Sequence, residues 1–299
     1  MTLPGQRRQD VVGLQLQLEG AGYIAEPPLA AALLLMLDLG RPLLVEGDAG
    51  VGKTEIAHAV AAVRGARLIR LQCYEGLDVH AAMYEWNYQR QLLAIKLLEH
   101  DERQAHAKEQ DIFSERYLLK RPLLEAITCA EAPVLLIDEV DRADEAFEAF
   151  LLELLSDFQM SIPELGTVRA VARPWVVITS NGTRELSDAL RRRCLYQYID
   201  YPDFAKELAI LELKAPQAAG QLARQVVAFV QDTRRMDLRK KPGIAETLDW
   251  TAALLRLGIP AIEDDAAERI LETLSALVKT REDRAGFTRD VVARMAAAC

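Results

Sequence analysis

"LLVEGDAGVGKTEIA", residues 43–57, decides how the rest of the chain is read. The apolar run from Leu43 to Val45 reads as a short buried strand. It stops at Gly47 and gives way, after Lys53-Thr54, to an alanine-rich helix that Gly65 closes. Between them, Gly47-Asp48-Ala49-Gly50-Val51-Gly52-Lys53-Thr54 fits G-x-x-x-x-G-K-[ST] at every fixed position. A glycine turn between a strand and a helix can be purely structural. Here the complete motif, with a strand before it and a helix after it, favours a backbone bent to aim N–H groups at phosphate oxygens. The helix N-terminus adds its partial positive charge. In this reading Lys53 reaches the β- and γ-phosphates and the Thr54 hydroxyl binds Mg²⁺.

A site that hydrolyses such a ligand needs a carboxylate near the metal and a group that activates water. "VLLIDEVDR", residues 134–142, supplies both at the end of the strongest buried-strand signal in the chain. Asp138 would hold the metal through its waters and Glu139 would polarise the attacking water. The competing reading is an acidic pair at the start of the next helix. Asp141 and Asp144 read as helix-start residues, Asp144 as an N-cap. In "VVITSNGTREL", residues 176–186, Asn181 stands where another apolar strand stops; it could orient the same water or cap the turn. Arg191, Arg192 and Arg193 follow. An arginine on a γ-phosphate stabilises transition-state charge, but three in a row also suit a solvated face.

Outward from these motifs, strand-like runs alternate with helical ones: "RLIRLQC", "APVLLIDE", "PWVVITSN" and "CLYQYIDYP" join the first strand. That alternation implies a parallel sheet covered by helices. "FQMSIPELGTVRAV" reads as two short strands around a turn. Two helices between Gln9 and Leu39 precede the sheet. After Pro216 only helical patterns remain, over 217–233, 244–257, 264–281 and 286–298. The expected organisation is an α/β domain over 1–215 and an all-α domain over 216–299. Tyr84, Trp86 and Tyr88, at i, i+2 and i+4, read most simply as one face of a strand, and are also candidates for an exposed aromatic surface.

Composition narrows the function classes. The chain has 299 residues, 51% hydrophobic and 27% charged, which suits a folded protein and excludes extensive disorder. Its net charge of −9 provides no global field for DNA or anionic membranes. The longest apolar stretch, Leu29 to Leu37, is too short to span a bilayer, and the N-terminus lacks the apolar core of a signal peptide. Cys73, Cys129, Cys194 and Cys299 form no C-x-x-C pair and read as reduced thiols. The expectation is a cytoplasmic protein.

In order and spacing, Gly47–Thr54, Asp138–Glu139, Asn181 and the arginine cluster resemble the Walker A, Walker B, sensor 1 and arginine finger of an AAA+ ATPase. Leu77 to Ile95 is similar in position to the helix-2 insert of the MoxR branch, and "FQMSIPELGTVRA" to its pre-sensor hairpin. "RLQCYEGLDV", "YEWNYQRQ", "DIFSER", "ELGTVRA" and "RRCLYQYIDYP" resemble its CoxD-type members, ATPases associated with maturing molybdenum–copper carbon monoxide dehydrogenase. The resemblance implies a P-loop NTPase fold with a five-stranded parallel sheet of order 5-1-4-3-2, a helix-2 insert, a pre-sensor hairpin and a small helical lid. It implies ATP with Mg²⁺ as cofactors and a homo-oligomeric ring, usually a hexamer. Arg193, with Arg192 second, matches the finger position. The implied partners are a von Willebrand factor A domain protein as adaptor and a client metalloenzyme. One segment departs from the pattern: where MoxR proteins commonly place the sensor 2 arginine after a Gly-x-x-Pro, Gly243-Ile244-Ala245-Glu246-Thr247 stands instead, which implies lid sensing that is weakened or supplied by another basic residue.

Two further functions compete with a remodelling ATPase. A nucleotide-gated scaffold with negligible turnover would have no need of the water-activating Glu139. A DNA-acting motor is disfavoured by the charge and by the lack of a recognisable DNA-binding appendage.

Overall fold

The computed structural model describes residues 4–78, 82–97, 112–163, 165–218, 220–262 and 267–299. In chain order its elements are α1 (Pro4–Gly20), α2 (Pro27–Leu39), β1 (Leu43–Gly47), α3 (Lys53–Arg64), β2 (Leu68–Gln72), β3 (Tyr84–Trp86), α4 (Tyr88–Leu97), β4 (Leu118–Lys120), α5 (Pro122–Thr128), β5 (Val134–Asp138) and α6 (Glu145–Asp157). There follow β6 (Gln159–Ile162), β7 (Gly166–Arg169), β8 (Trp175–Ser180), α7 (Asp188–Arg193), β9 (Leu195–Ile199), α8 (Phe204–Lys214), α9 (Gln221–Arg235), α10 (Ile244–Arg256), α11 (Ala267–Leu277), α12 (Arg281–Ala285) and α13 (Arg289–Ala297).

These elements form two units, one of residues 1–14, 27–46 and 56–198, the other of residues 15–26, 47–55 and 199–299. The helical residues expected to make a lid, 216–299, all fall in the second. That unit also takes the glycine-rich loop and the segment from Ile199.

The first unit is built on a parallel sheet of order β2-β5-β8-β1-β9. Numbering only these five strands along the chain gives 2-3-4-1-5, which is the expected 5-1-4-3-2 read from the other edge. β5 is buried at all five positions, as an uninterrupted Val-Leu-Leu-Ile run must be when both sheet faces are covered. The edge strands β2 and β9 instead alternate buried or half-buried with exposed residues. In the pairing registers Gln72↔Asp138, Ile137↔Ile178 and Glu46↔Ser180, the C-terminal ends of β2, β5, β8 and β1 meet at one edge of the sheet. That edge is where open parallel sheets place their ligands. The core on one face joins Leu44, Ile69, Leu135, Ile137, Val176 and Ile178 to side chains of α5 and α6.

The expected hairpin is the antiparallel pair β6–β7, with Met160↔Val168 in register. A second antiparallel pair joins β3, within the stretch expected as the helix-2 insert, to β4 at Leu118–Lys120. Here the aromatic reading needs correction. Tyr84 and Trp86 share the inner face of β3, each only 6% exposed, and Trp86 packs edge-on against Tyr84 and Phe113. Tyr88 is 65% exposed. The strand ends at Trp86 and α4 begins at Tyr88, so the two-residue period cannot carry the third ring to the same face. The charged stretch from Asp101 to Asp111 lies outside the described residues.

The second unit has its own core, in which Val226, Phe229, Trp250, Leu254, Ile270 and Leu274 are fully buried. Trp250 donates its indole N–H to Thr273 Oγ1 at 2.8 Å. The helix expected over 264–281 is interrupted: α11 stops at Leu277, and Thr280 caps α12 by accepting from the Asp283 N–H. A buried ion pair ties α8 to α9, Arg234 Nη1 and Nη2 each lying 2.6 Å from a different Glu207 carboxylate oxygen. Thr247 of α10 and Gln231 donate to the same carboxylate, which satisfies a charge that would otherwise be costly to bury.

Candidate functional site

The glycine-rich loop belongs to the second unit. Gly47 must be glycine, because a Cβ there would overlap the Ile199 carbonyl oxygen. Gly50 and Gly52 have φ of +83° and +93°, which L side chains rarely adopt. Lys53 opens α3 and turns its ammonium back into the loop, where Nζ donates to the carbonyls of Gly47 at 2.7 Å and Asp48 at 2.6 Å. It is buried, and Thr54 beside it is half-buried. Val51 is buried, whereas Asp48 and Ala49 are exposed.

Gly243, at the N-cap of α10, lies against this loop. The Ile244 N–H donates to the Gly50 carbonyl at 2.9 Å, and a Cβ on Gly243 would stand 2.6 Å from both Cα and O of Gly50. Position 243 therefore has no room for an arginine or any other side chain. Arg234 donates through Nε to the Pro242 carbonyl at 2.8 Å, so the Glu207–Arg234 pair fixes the residue before the contact. Next to Gly50 a cavity of about 450 Å³ is rimmed by Arg239, Lys240, Lys241 and Lys279, with Tyr201 and Glu246 also lining it.

The acid pair belongs to the first unit. Asp138 ends β5 with its side chain 4% exposed, and its Oδ1 accepts from Thr179 Oγ1 at 2.6 Å. Thr179 Oγ1 in turn accepts from the Glu139 N–H at 2.9 Å, so one β8 side chain places both acids. Glu139 is one of two non-glycine residues with positive φ (54°) among the described residues. That left-handed turn, costly for a residue with a Cβ, swings its carboxylate off the strand direction. Glu139 Oε1 accepts from Asn181 Nδ2 at 3.3 Å, and Oε2 accepts from Gln72 Nε2 and Arg142 Nη1, each at 3.0 Å. Asn181 thus meets Glu139 directly.

Asp141 does more than start a helix. It is 3% exposed, and its two oxygens accept from the N–H groups of Asn181 and Thr183 and from the Thr183 hydroxyl. Burial alone would raise its pKa, but the Thr183 hydroxyl and the two N–H groups outweigh it and hold the carboxyl below its ordinary 3.8. Asp144 is the N-cap of α6 and accepts from the Phe147 N–H at 2.8 Å. Beyond the sequence motifs, the geometry adds Thr179, Gln72, Asp141 and Gly243, none of which has a motif position of its own in "VVITSN", "RLIRLQC", "IDEVDR" or "KKPGIAE".

The arginines end α7. Arg191 pairs with Glu46 at 3.3 Å, whereas Arg192 and Arg193 are exposed. Arg193 Nε donates to Ser156 Oγ at 2.7 Å. Arg41 caps the helix end, donating to the carbonyls of Arg192, Arg193 and Cys194.

The AAA domain (dynein-related subfamily) family matches residues 42–194, from the start of β1 to the end of α7. The chain belongs to that family; it is an AAA+ P-loop NTPase and an ATP hydrolase. Over 271 residues it is 24% identical to the gas vesicle ATPase GvpN1 of Halobacterium salinarum, a match covering 85% of this chain and 74% of that protein. It is 25% identical over 229 residues to an uncharacterized protein of Staphylococcus aureus, covering 74% and 78%. Among solved structures it is similar to a RuvB mutant of Thermotoga maritima at 17% identity and a TM-score of 0.47, covering 89% of this chain and 69% of that one. Among the described residues no helix is long and apolar enough to cross a membrane.

Proposed function

We propose that the chain is a MoxR-type, CoxD-like AAA+ ATPase that hydrolyses ATP to remodel or mature a client metalloenzyme. The client would be a protein like the molybdenum–copper carbon monoxide dehydrogenases, approached with a von Willebrand factor A domain partner. The working form would be a homo-oligomeric ring, hexameric by the family pattern, in the cytoplasm.

The observation that carries the hydrolytic part is the placement of Glu139. It sits in a left-handed turn at the end of β5, beside Asp138, with Asn181 on one carboxylate oxygen and Gln72 and Arg142 on the other. A carboxylate so fixed can accept a proton from a water that Asn181 also orients. The loop fits a phosphate chain for a separate reason. At Gly47 it has no space for a Cβ, at Gly50 and Gly52 its backbone suits glycine, and an ammonium stands inside it. The residues that would hold Mg²⁺·ATP are Gly47, Asp48, Ala49, Gly50, Val51, Gly52, Lys53 and Thr54 with Asp138. When bound, that group supplies a γ-phosphoryl with its charge partly neutralised. Arg193, with Arg192 second, would serve the nucleotide of a neighbouring subunit.

The remodelling part is supported by α4 of the insert. Tyr88, Leu92, Leu93 and Ile95 are 65%, 60%, 60% and 43% exposed, an apolar face of the kind that anchors partners.

Glu139→Gln tests the reading. It should still bind ATP, hydrolyse it at least ~10²-fold more slowly, and retain client and adaptor for identification. Loss of hydrolysis with retention of a molybdenum–copper dehydrogenase-like protein together with a von Willebrand factor A domain protein would support the whole proposal. Unchanged hydrolysis would place the base elsewhere, and a trapped complex holding neither protein would overturn the client assignment.

A further inference from the structure

Arg70 stands in the middle of β2, within "RLIRLQC", and β2 runs beside β5 in the register Gln72↔Asp138. Its guanidinium grips Asp138 twice, Nε at 3.1 Å and Nη2 at 2.5 Å, both on Oδ2. The other oxygen, Oδ1, carries the Thr179 hydroxyl at 2.6 Å. The partners differ in exposure: the Asp138 side chain is 4% exposed and that of Arg70 49%. A buried carboxylate needs a counter-charge, and Arg70 supplies it from a half-solvated position that it can leave at little desolvation cost. The same Nη2 also donates to Gln72 Oε1 at 2.5 Å, and Gln72 Nε2 donates to Glu139 Oε2 at 3.0 Å. One cation is therefore tied to both acids.

We infer that Arg70 competes with the divalent cation for Asp138 and so sets the Mg²⁺ concentration at which the nucleotide site loads. The inference rests on the proposed role of Asp138 as the residue that holds Mg²⁺. A guanidinium on Oδ2 occupies lone pairs that cation-bound water would use. Its unit charge also repels a divalent ion in the same surroundings. In return its ion pair stabilises the buried carboxylate in the cation-free state. Arg70 is a positioning residue in this scheme: it acts through Asp138 and takes no part in bond making.

Two opposed effects follow for Arg70→Gln. Without Mg²⁺ the variant should melt at a lower temperature than the wild type, because the carboxylate loses its ion pair with Arg70. The Mg²⁺ concentration that half-maximally strengthens binding of a non-hydrolysable ATP analogue should nevertheless fall, by about threefold or more, the effect of removing one partly screened charge. Arg70→Lys, which keeps the charge but not the two-point grip, should shift the midpoint in the same direction by less, and it serves if Arg70→Gln does not fold. The measurement is a calorimetric titration of the full-length protein with the analogue at a series of Mg²⁺ concentrations. Asp138→Asn is run beside it and should lose the Mg²⁺ enhancement. If Asp138→Asn keeps the wild-type midpoint, the role proposed for Asp138 fails and this inference with it. If Asp138→Asn loses the enhancement while Arg70→Gln and Arg70→Lys keep or raise the wild-type midpoint, the inference alone is overturned.

Discussion

Gly243→Ala isolates the contact between α10 and the glycine-rich loop. Position 243 has φ of −88° and ψ of −173°, extended backbone that any residue adopts, so the substitution carries no conformational strain. Its main effect is steric. The new methyl would meet Cα and O of Gly50 at 2.6 Å and its carbonyl carbon at 2.8 Å, all backbone atoms that cannot rotate away. Relief to van der Waals contact needs about 1 Å of separation. That stretches the 2.9 Å bond from the Ile244 N–H to the Gly50 carbonyl beyond hydrogen-bond range. The lost bond is worth about 1 kcal/mol. Alanine in place of glycine at an N-cap adds roughly 0.5–1 kcal/mol. A total of about 2 kcal/mol should lower the melting temperature by about 3 °C for a chain of this size. Displacing the loop should also forfeit at least one charge-assisted N–H contact to phosphate, worth about 1.5 kcal/mol and so about tenfold in ATP affinity. Thermal melting and calorimetric ATP titration read both numbers. Gly13→Ala is the control: it lies within α1 with nothing within 4 Å of its Cβ position, and it should leave stability equal or slightly raised. If Gly243→Ala melts and binds ATP like the wild type, the close approach of Gly243 and Gly50 holds nothing in place and the reasoning fails.

Asp141 should govern part of the acid limb of stability. Its pKa is lower folded than unfolded, so its contribution is complete above about pH 5 and is lost as pH falls through 3.8 towards the folded value; Asp141→Asn should lower the denaturant midpoint at pH 7 and flatten its fall below pH 5. Trp86→Ala should destabilise the first unit by about 3–5 kcal/mol, as removal of a buried aromatic does, while Tyr88→Ala should leave the denaturant midpoint within about 0.5 kcal/mol of wild type and weaken adaptor or client binding in a pull-down. Equal effects of the two on stability would show that exposure does not separate these rings. Arg193→Ala should bind ATP normally and hydrolyse it ~10²–10⁴-fold more slowly, and mixing it with Lys53→Ala should restore part of the rate in mixed assemblies; if such assemblies form and no rate returns, Arg193 does not act across an interface.

The sheet was legible because its signals are local. "APVLLIDE" and "VVITSN" are apolar runs of strand length bounded by polar residues, and the glycine motif marks where β1 ends, so the strand order followed once the family resemblance was in hand. The insert was less legible. The spacing of Tyr84, Trp86 and Tyr88 carries a strand period, but nothing in it states that the strand is only three residues long. Two rings therefore went to the core and one to solvent. Likewise the run from 264 to 281 keeps helical periodicity across Val278 and Lys279. Thr280, a good N-cap, offers its hydroxyl to the Asp283 N–H, and this local bond competes with continuing the helix.

Residues with a motif position of their own could be named from sequence; residues defined by what another segment brings to them could not. Thr179 is one polar residue at the end of an apolar strand until β5 is laid beside β8, where its hydroxyl donates to Asp138 and accepts from the Glu139 N–H. Arg70 and Gln72 are only two polar residues of the strand-like run "RLIRLQC", and the β2–β5 register is what sets them beside the acids. Gly243 is the clearest case. From sequence it is only the first residue of the segment 243–247 that stands where the resemblance expects a sensor 2 arginine. In the structure the backbone of Gly50 lies against it, and the segment that carries it is held by Arg234, whose own charge is met by Glu207. Any side chain at 243 would press α10 away from the loop. The contact is made by main-chain atoms, the Ile244 N–H on the Gly50 carbonyl, and no side-chain rotation can relieve a clash there. That is why a single methyl group, placed at one glycine, is expected to act on stability and on nucleotide affinity together.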